Sequence, residues 1–243
     1  MTRRRFYAPP SAFNFGKRLV TLTADEARHL REVLRLKSGD DVQVFDGAGR
    51  EFRAVVAQAR REFAELELRD EIAPLRPESP LQLTLAVALL KGEKFDLVVQ
   101  KGTELGVNRF IPLVTRYADI RLRDEADAAK RVTRWQRIAL EAAKQCGRAV
   151  VPEITQPASF ESVIREEACL MFSEREGQAL TTDLAIKSVI SVVGSEGGWS
   201  NEELDHARAA GVPIVTLGGR VLRAETAAIT TAVLLQHLYG DLK

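Results

Sequence analysis

GSEGG at residues 194–198 and LGGRVLRAETAA at residues 217–228 are two glycine-rich segments that lie about twenty residues apart. Each follows a short apolar run rich in β-branched residues, at 189–193 and 213–217, and each leads into a helix-like pattern. Both segments are therefore expected at the carboxyl ends of neighbouring parallel strands, where open α/β sheets bind their ligands. The sequence predicts that the active site lies between them.

Neither segment carries a nucleotide-binding signature. No Gly-Lys-Ser/Thr follows GSEGG, and the G-x-G-x-x-G spacing is absent, which disfavours a nucleoside triphosphatase or a nicotinamide enzyme. Ser200 and Glu203 fit a capping box, so a helix is predicted to begin there. Trp199, between the glycines and that helix, is interpreted as a core residue more readily than as a wall for a planar ligand.

Length and composition indicate a globular protein. The 243 residues are 45% hydrophobic and 28% charged, and no apolar run approaches the roughly 18 residues that cross a bilayer. The arginine-rich start is followed by Ala8-Pro9-Pro10 rather than by the apolar core of an export signal, so a cytoplasmic location is expected. Cys146 and Cys169 lack metal-ligand spacing and are interpreted as reduced thiols.

Two domains are predicted, because the residue pattern changes near a proline-rich segment. The amino-terminal part shows short alternating runs typical of a small β-rich domain, at 18–22, 41–45, 51–56 and 63–68, with a helix expected over 24–34. Ala73–Pro80 contains three prolines and predicts a stiff linker. The apolar run 83–89 then opens an α/β domain with a mostly parallel sheet, in which strands and helices alternate.

Two segments of the chain indicate binding partners, one a phosphate-bearing molecule and the other a second subunit. Arg3, Arg4, Arg5, Lys17 and Arg18 precede the first acidic residue, and this basic arm is either a solvated terminus or a patch that contacts phosphates. The last helix, expected from residue 227 to 239, is apolar nearly all round. We therefore expect it to be buried between its own sheet and a second subunit.

Five segments together resemble one known family. KGEKFDLVVQKGTELGV (91–107), RWQRIALEAAKQCGR (134–148) and RRFYAP (4–9), with the two glycine-rich segments, make the chain similar to the ribosomal RNA uridine-N3 methyltransferases of the SPOUT superfamily. The resemblance covers nearly the whole chain, with the segments in the family's order. It is far more specific than a single glycine loop.

The resemblance implies a fold and an activity. It implies a PUA-like RNA-binding β-barrel at 1–73, a linker at 74–80, and a SPOUT methyltransferase domain at 81–243 whose carboxyl-terminal segment forms a deep trefoil knot. The implied reaction is S-adenosylmethionine-dependent methylation of uridine N3 in 16S ribosomal RNA of the small subunit, carried out by a homodimer joined through its carboxyl-terminal domain. A knotted methyltransferase acting on another RNA or atom, and a non-enzymatic RNA-binding assembly protein, remain alternatives.

The resemblance also assigns the S-adenosylmethionine site. Carried onto matching positions, its residues are Phe172, Ser173, Gly194, Glu196, Gly197, Gly198, Leu217, Gly218, Leu222 and Thr226. Ser195 stands where the family commonly has proline, which loosens the φ restraint of the first loop. No residue cluster supports a metal site.

Charged residues beside the glycine segments are the catalytic candidates. Uridine N3 carries a proton and is a poor nucleophile until that proton leaves, so a positive group and a proton acceptor both help. Arg223 or Arg220 is the candidate for the charge, and Glu225 or Glu196 for the acceptor. The alternative is that Glu196 orders its own loop and Glu225 favours a helix amino terminus. The basic arm and Arg148 are the predicted RNA contacts.

Overall fold

The computed structural model describes residues 4–118, 120–180 and 186–243. The chain divides into two compact units, Met1–Glu78 with Ala143–Val151, and Ser79–Ala142 with Pro152–Lys243. The predicted domain limits of 1–73 and 81–243 stay a prediction, and the structure adds that the short segment Ala143–Val151 groups with the first unit.

The first unit is built on a curled sheet. Its six strands are β1 (Arg5–Tyr7), β2 (Phe13–Asn14), β3 (Leu19–Leu22), β4 (Asp41–Phe45), β5 (Glu51–Ala59) and β6 (Ala64–Ile72). Their order is β1-β4-β5-β6-β3-β2, with β1 parallel to β4 and the other neighbours antiparallel. This half-barrel encloses an apolar core that includes Phe6, Val44 and Leu66, all fully buried. The alternating pattern of the sequence follows from that one buried face.

The helix expected over 24–34 is less regular than predicted. The first helix, α1, covers Ala24–Arg28, and the chain then widens into a π-helical turn over His29–Val33. Thr23 occupies the N-cap position, but its side chain makes no capping hydrogen bond. Leu30 is fully buried in the core of the sheet, so tertiary packing holds this wider turn.

The second unit contains a sheet in which every recorded pairing is parallel. Its strands are β7 (Gln82–Ala88), β8 (Arg109–Val114), β9 (Glu153–Ile154), β10 (Ala158–Ser159), β11 (Cys169–Phe172), β12 (Gln178–Ala179), β13 (Ser188–Val193) and β14 (Ile214–Thr216). The order is β10-β8-β7-β13-β11-β14-β12, and β9 pairs with β8. The continuous apolar run at 83–89 supplies most of β7, an interior strand of the sheet, as expected for a strand buried on both faces.

Helices accompany the strands of the parallel sheet. They are α2 (Lys94–Glu104), α3 (Glu125–Cys146), α4 (Phe160–Val163), α5 (Asn201–Ala209) and α6 (Ala224–Tyr239). Ile190 and Val192 of β13 point into a core with α4 and α5. Ser191, between them, faces the opposite side, and its hydroxyl donates to Oγ1 of Thr231 in α6 at 3.0 Å. In the described part of the chain, every helix is too short or too polar to span a membrane.

The two glycine-rich segments follow β13 and β14, which are not neighbours. The prediction of adjacent strands is wrong because β11 lies between them, with Phe172 in register with Val193 on one side and Val215 on the other. All three strands are parallel, so their carboxyl ends still meet at one edge of the sheet. The end of β11 is therefore brought between the two glycine-rich segments.

Candidate active site

A cleft opens where β11, β13 and β14 end. Its empty space, including the open mouth, is about 490 Å³. The strand ends, the loop before α6 and the first turns of α6 supply its lining: Phe172, Ser173, Glu174, Val193, Gly194, Ser195, Thr216, Leu217, Gly218, Arg220, Leu222, Ala224 and Ala227. The sequence expectation that the glycine-rich segments share a ligand site at this edge agrees with the position of this cleft.

The first glycine-rich loop is a tight turn with its own tether. The amide of Gly198 donates to the carbonyl of Ser195 at 3.0 Å, and Gly198 has φ +67, a conformation that favours glycine. The hydroxyl of Ser195 donates to the carbonyl of Tyr117 at 3.0 Å. A Cβ on Gly197 would stand 2.7 Å from the Cβ of Tyr117, so only glycine permits this close approach. The loop has serine where the family commonly has proline, and the hydrogen bond of Ser195 restrains it instead.

Trp199 supports this loop from beneath. Its side chain is 1% exposed, and its indole Nε1 donates to the carbonyl of Phe172 at 2.8 Å. The ring packs on Phe160, with centroids 5.2 Å apart, and a Cβ on Gly194 would come within 3.1 Å of the indole. The interpretation of Trp199 as a core residue is confirmed. The capping box predicted after it is also present, with Ser200 as N-cap and Glu203 at the third position of α5.

The second glycine-rich loop leaves open space beside the cleft. Gly218 has φ +101, and a Cβ built on Gly218 or Gly219 would meet no atom within 4 Å. Val221, farther along the loop, is 81% exposed. Arg223 occupies the N-cap position of α6 without capping it through its side chain.

Six of the ten residues predicted to hold a cofactor line the cleft: Phe172, Ser173, Gly194, Leu217, Gly218 and Leu222. Glu196, Gly197, Gly198 and Thr226 do not line it. Among these four, Gly197 and Gly198 form the turn that shapes the wall. Six further lining residues were not predicted to hold the cofactor: Glu174, Val193, Ser195, Thr216, Ala224 and Ala227. Their only sequence signal is that they lie within the two glycine-rich segments or directly beside predicted residues.

The two predicted acidic residues meet at one lysine that sequence reasoning missed. Lys94, the first residue of α2, hydrogen-bonds the carboxylate of Glu196, and its Nζ lies 3.8 Å from Oε2 of Glu225. The bond to Glu196 raises the pKa of Lys94 above its usual value, with a further contribution from the charge of Glu225. Glu225 is mostly buried, and its Oε2 accepts no hydrogen bond from the described residues.

The two predicted catalytic arginines differ in position. Arg220 lines the cleft and is exposed, whereas Arg223 is exposed at the start of α6 and is not part of the lining. The positive charge of Arg223 opposes the rise in the pKa of Lys94, because the two cations repel each other. Arg220 is therefore the arginine that a molecule in the cleft would meet.

The predicted RNA contacts divide into exposed and buried residues. Arg3 lies outside the described residues, while Arg4, Lys17 and Arg18 are exposed. The guanidinium of Arg18 donates to the carbonyls of Leu68 and Arg69, at 3.2 and 3.0 Å. This pairing uses part of its hydrogen-bonding capacity and leaves the charge at the surface.

Arg5 and Arg148 are not supported as RNA contacts, because the structure buries both side chains in the first unit. The guanidinium of Arg5 donates to both carboxylate oxygens of Glu51, at 2.8 and 3.1 Å, and to the carbonyl of Arg148 at 2.9 Å. Arg148 in turn forms an ion pair with Glu78. Exposing either cation to RNA would break these buried pairs, which is costly. A charge run in sequence does not reveal such partners.

A groove on the first unit offers other cations. Arg4, Arg53 and Arg69 line an open depression together with Asp41, Val42, Gln43, Ala54 and Asp70, and its empty space, including the open mouth, is about 1140 Å³. Arg53 is opposite Gln43 in the pairing of β5 with β4, and all three arginines are exposed. These arginines extend the basic arm across the sheet.

Neither cysteine belongs to a metal-binding group in the described residues. Burial raises the pKa of the Cys169 thiol to about 11, with the charge of Glu166 adding to the effect, so the thiol stays protonated at neutral pH. Cys146 and Cys169 are both free. No group of three or more His, Cys, Asp or Glu side chains in the described ranges could hold a metal ion.

The parallel sheet and its glycine-lined cleft are those of an RNA methyltransferase domain. The family model with that description matches residues 77–236, and a second model, described as the RNA methyltransferase PUA domain, matches residues 22–69. These matches confirm the fold class predicted from the resemblance, a PUA-like half-barrel joined to a SPOUT-type α/β domain. The trefoil knot itself stays a prediction.

Similarity to individual proteins identifies the family more specifically. The chain is 34% identical to ribosomal RNA small subunit methyltransferase E from a Synechocystis strain, over 86% of this chain and 69% of that protein. A structure of the Neisseria gonorrhoeae protein of the same name, bound to S-adenosyl methionine, is 32% identical with a TM-score of 0.87, covering 99% of this chain and 100% of that one. A SAM-bound structure from Legionella pneumophila is 31% identical with a TM-score of 0.88, covering all of both chains. The chain therefore belongs to the ribosomal RNA small subunit methyltransferase E family.

Proposed function

We propose that this protein methylates the N3 atom of a specific uridine in 16S ribosomal RNA of the small ribosomal subunit, using S-adenosylmethionine. The single observation that carries the proposal is the cleft at the ends of β11, β13 and β14, whose wall is formed by Gly194 and Gly218. The relatives support it, because structures of two of them contain S-adenosylmethionine. A non-enzymatic RNA-binding protein would not need such a cleft.

The residues of the cleft fit S-adenosylmethionine. Phe172, Leu217 and Leu222 supply apolar surface, and the absence of a Cβ at Gly218 leaves space that a larger residue would occupy. Those four residues, with Gly194, would hold the cofactor. Once bound, S-adenosylmethionine supplies a methyl group activated by its positively charged sulfur.

Charge around the cleft supports the reaction at N3. A uridine whose N3 proton has left carries negative charge on its imide, and a fixed cation stabilises that charge most when water is excluded. Arg220 lines the cleft and is the residue that we assign to this role, with Arg223 nearby. Positioning of the two reactants contributes as well, since alignment can lower a barrier by about 7–11 kcal/mol.

Glu196 and Glu225 are proposed to order the site rather than to accept the N3 proton. Both carboxylates are next to the ammonium of Lys94, so both are engaged in ion pairs. Their assignment as proton acceptors stays an alternative. The test is to substitute each with glutamine and to measure turnover against pH. Loss of an essential base would abolish the rise of activity with pH.

The first unit is proposed to bind the RNA. Arg4 together with Arg53 and Arg69 would contact phosphates, which position an RNA without reading its sequence. The target uridine must then leave its stack to reach the cleft. Substitution of Arg53 and Arg69 by alanine should weaken RNA binding and reduce its dependence on salt, while cofactor affinity stays that of the wild type.

A homodimer is proposed through α6. Val233 of this helix is 39% exposed, Leu242 beyond its end is 39% exposed, and Ile229, Leu234 and Leu238 are half-buried. A helix with apolar side chains on its outer face is typical of a subunit interface. Sedimentation should give a dimer for the wild type and a monomer for Val233→Asp. Val33→Asp, at a 68% exposed valine of the first unit, is the control that should stay dimeric.

The cofactor assignment is tested by calorimetric titration with S-adenosylmethionine. Gly218→Ala should lose affinity, because its methyl group occupies the cleft and its backbone needs a positive φ. Gly211→Ala is a matched control, since Gly211 has φ +72 and equally open surroundings but lies outside the cleft. Equal affinities of the two variants, or no binding by the wild type, would refute the assignment of this cleft.

A further inference from the structure

Lys94 connects the two acidic residues that flank the cleft. Its Nζ is bonded to Glu196 of the first glycine-rich loop and lies 3.8 Å from Oε2 of Glu225, in the first turn of α6. The side chains are 33%, 28% and 12% exposed for Lys94, Glu196 and Glu225, so the cluster is partly shielded from water. Three segments distant in sequence thus meet at one ammonium group.

Removal of this ammonium would leave two carboxylates facing each other. Like charges at short range repel, and the repulsion is stronger where water is partly excluded. Among the described residues, Arg223 also acts on the pKa of Lys94, and it is exposed. The bond to Glu196 raises the pKa of Lys94, so the lysine stays protonated through the physiological range and serves as a permanent cation.

We propose that Lys94 is a positioning residue of the cleft: it holds the loop 194–198 against the start of α6 and thereby sets the affinity for S-adenosylmethionine. The inference rests on the proposed function, because the ligand of the cleft is taken from it. Lys94 acts through Glu196 and Glu225 and is not itself part of the cleft lining. Glu196 directly follows Gly194 and Ser195, which line one wall of the cleft. Glu225 lies between Ala224 and Ala227, which line the other wall.

A second lysine on the same helix shows what a purely local pair looks like. Lys101 of α2 pairs with Glu104 three residues on, at 2.8 Å, and the two side chains are 41% and 29% exposed. This pair joins no separate segments, so its loss should not alter the cleft. Lys101→Met is therefore the matched control for Lys94→Met.

The test measures binding of S-adenosylmethionine by calorimetry, with thermal unfolding of each variant measured in parallel. Lys94→Met should bind about three- to tenfold more weakly than wild type, within the range that a partly shielded ion-pair network supports. Lys94→Arg should recover most of the affinity, because it keeps the charge, and Lys101→Met should bind as the wild type does. Lys94→Gln, a second neutral variant, replaces Lys94→Met if the latter does not fold.

A double-mutant cycle separates positioning from a direct contact. If Lys94 acts through Glu196, then Lys94→Met should cost little further affinity in a Glu196→Gln background. A readout without ligand is amide hydrogen exchange, which should become faster at residues 196–198 in Lys94→Met and stay unchanged in Lys101→Met.

The outcomes distinguish this inference from the proposed function. No binding of S-adenosylmethionine by the wild type would overturn the proposed function. Wild-type binding with equal affinity in Lys94→Met and Lys94→Gln would overturn only the role of Lys94. Fully additive losses in the cycle would show that Lys94 does not act through Glu196, which also contradicts the inference.

Discussion

The indole Nε1 of Trp199 donates a hydrogen bond to the backbone carbonyl of Phe172 at 2.8 Å. This bond joins the loop after β13 to the end of β11, so two walls of the cleft are fixed to each other through a core side chain. Gly194 approaches the same indole closely. The cleft therefore depends on a residue that never reaches its surface.

Substitution of Trp199 by phenylalanine should destabilise the protein by about 1–3 kcal/mol, because the donor to a buried carbonyl is lost together with part of the ring. Urea unfolding followed by circular dichroism measures the change. We also expect weaker cofactor binding, since Phe172 and Gly194 both line the cleft. A free energy of unfolding equal to that of the wild type would contradict this account.

Two substitutions of Ser195 should lower the stability of the protein to different extents. Ser195→Ala removes the bond to the carbonyl of Tyr117 and should cost about 0.5–1.5 kcal/mol of stability. Ser195→Pro loses the same bond but restricts the unfolded chain, which returns up to about 1 kcal/mol where the backbone accepts proline. Thermal unfolding should therefore place Ser195→Pro above Ser195→Ala. The reverse order would show that the loop geometry rejects proline.

The buried pair of Arg5 and Glu51 gives a prediction for the first unit. Glu51→Gln should lower the free energy of unfolding by about 3–5 kcal/mol, because it leaves a buried guanidinium without its counter-ion. Glu71→Gln breaks the exposed pair with Arg50 and should change stability little. Chemical denaturation of the two variants side by side measures the contrast. Similar losses would show that burial does not set the strength of these pairs.

Arg220 is the residue on which the electrostatic part of the mechanism rests. Arg220→Gln should lower kcat by about 10²-fold, while leaving the unfolding midpoint near that of the wild type, because the side chain is exposed and lines the cleft. Arg109→Gln removes an arginine at the start of β8, which pairs with Glu166 and does not line the cleft, and serves as the control. Steady-state methyl transfer measures both. An unchanged kcat in Arg220→Gln would move the role to Arg223.

Strand positions and caps could be predicted where the chemistry is local. The strand at 41–45 has the limits that the sequence predicts, and the apolar run 189–193 lies within β13, since a buried strand face leaves a direct apolar pattern. The capping box of Ser200 and Glu203 followed from two residue types at a fixed spacing.

Relationships between distant segments could not be predicted in this way. The order β13-β11-β14 depends on which strand is inserted between two others, and no local pattern encodes that choice. The burial of Arg5 and Arg148 depends on partners far away in sequence, Glu51 and Glu78. Lys94 was overlooked for the same reason, because its importance comes from carboxylates that lie more than a hundred residues away.

The most direct test of the account is transfer of labelled methyl groups from S-adenosylmethionine to small ribosomal subunits that lack the modification. Nucleoside analysis of the 16S ribosomal RNA should then find the label in 3-methyluridine, at one site per subunit. Label in another nucleoside would keep the methyltransferase class and contradict the proposed target atom. Absence of label from RNA, with the cofactor bound in the cleft, would contradict methylation of this RNA.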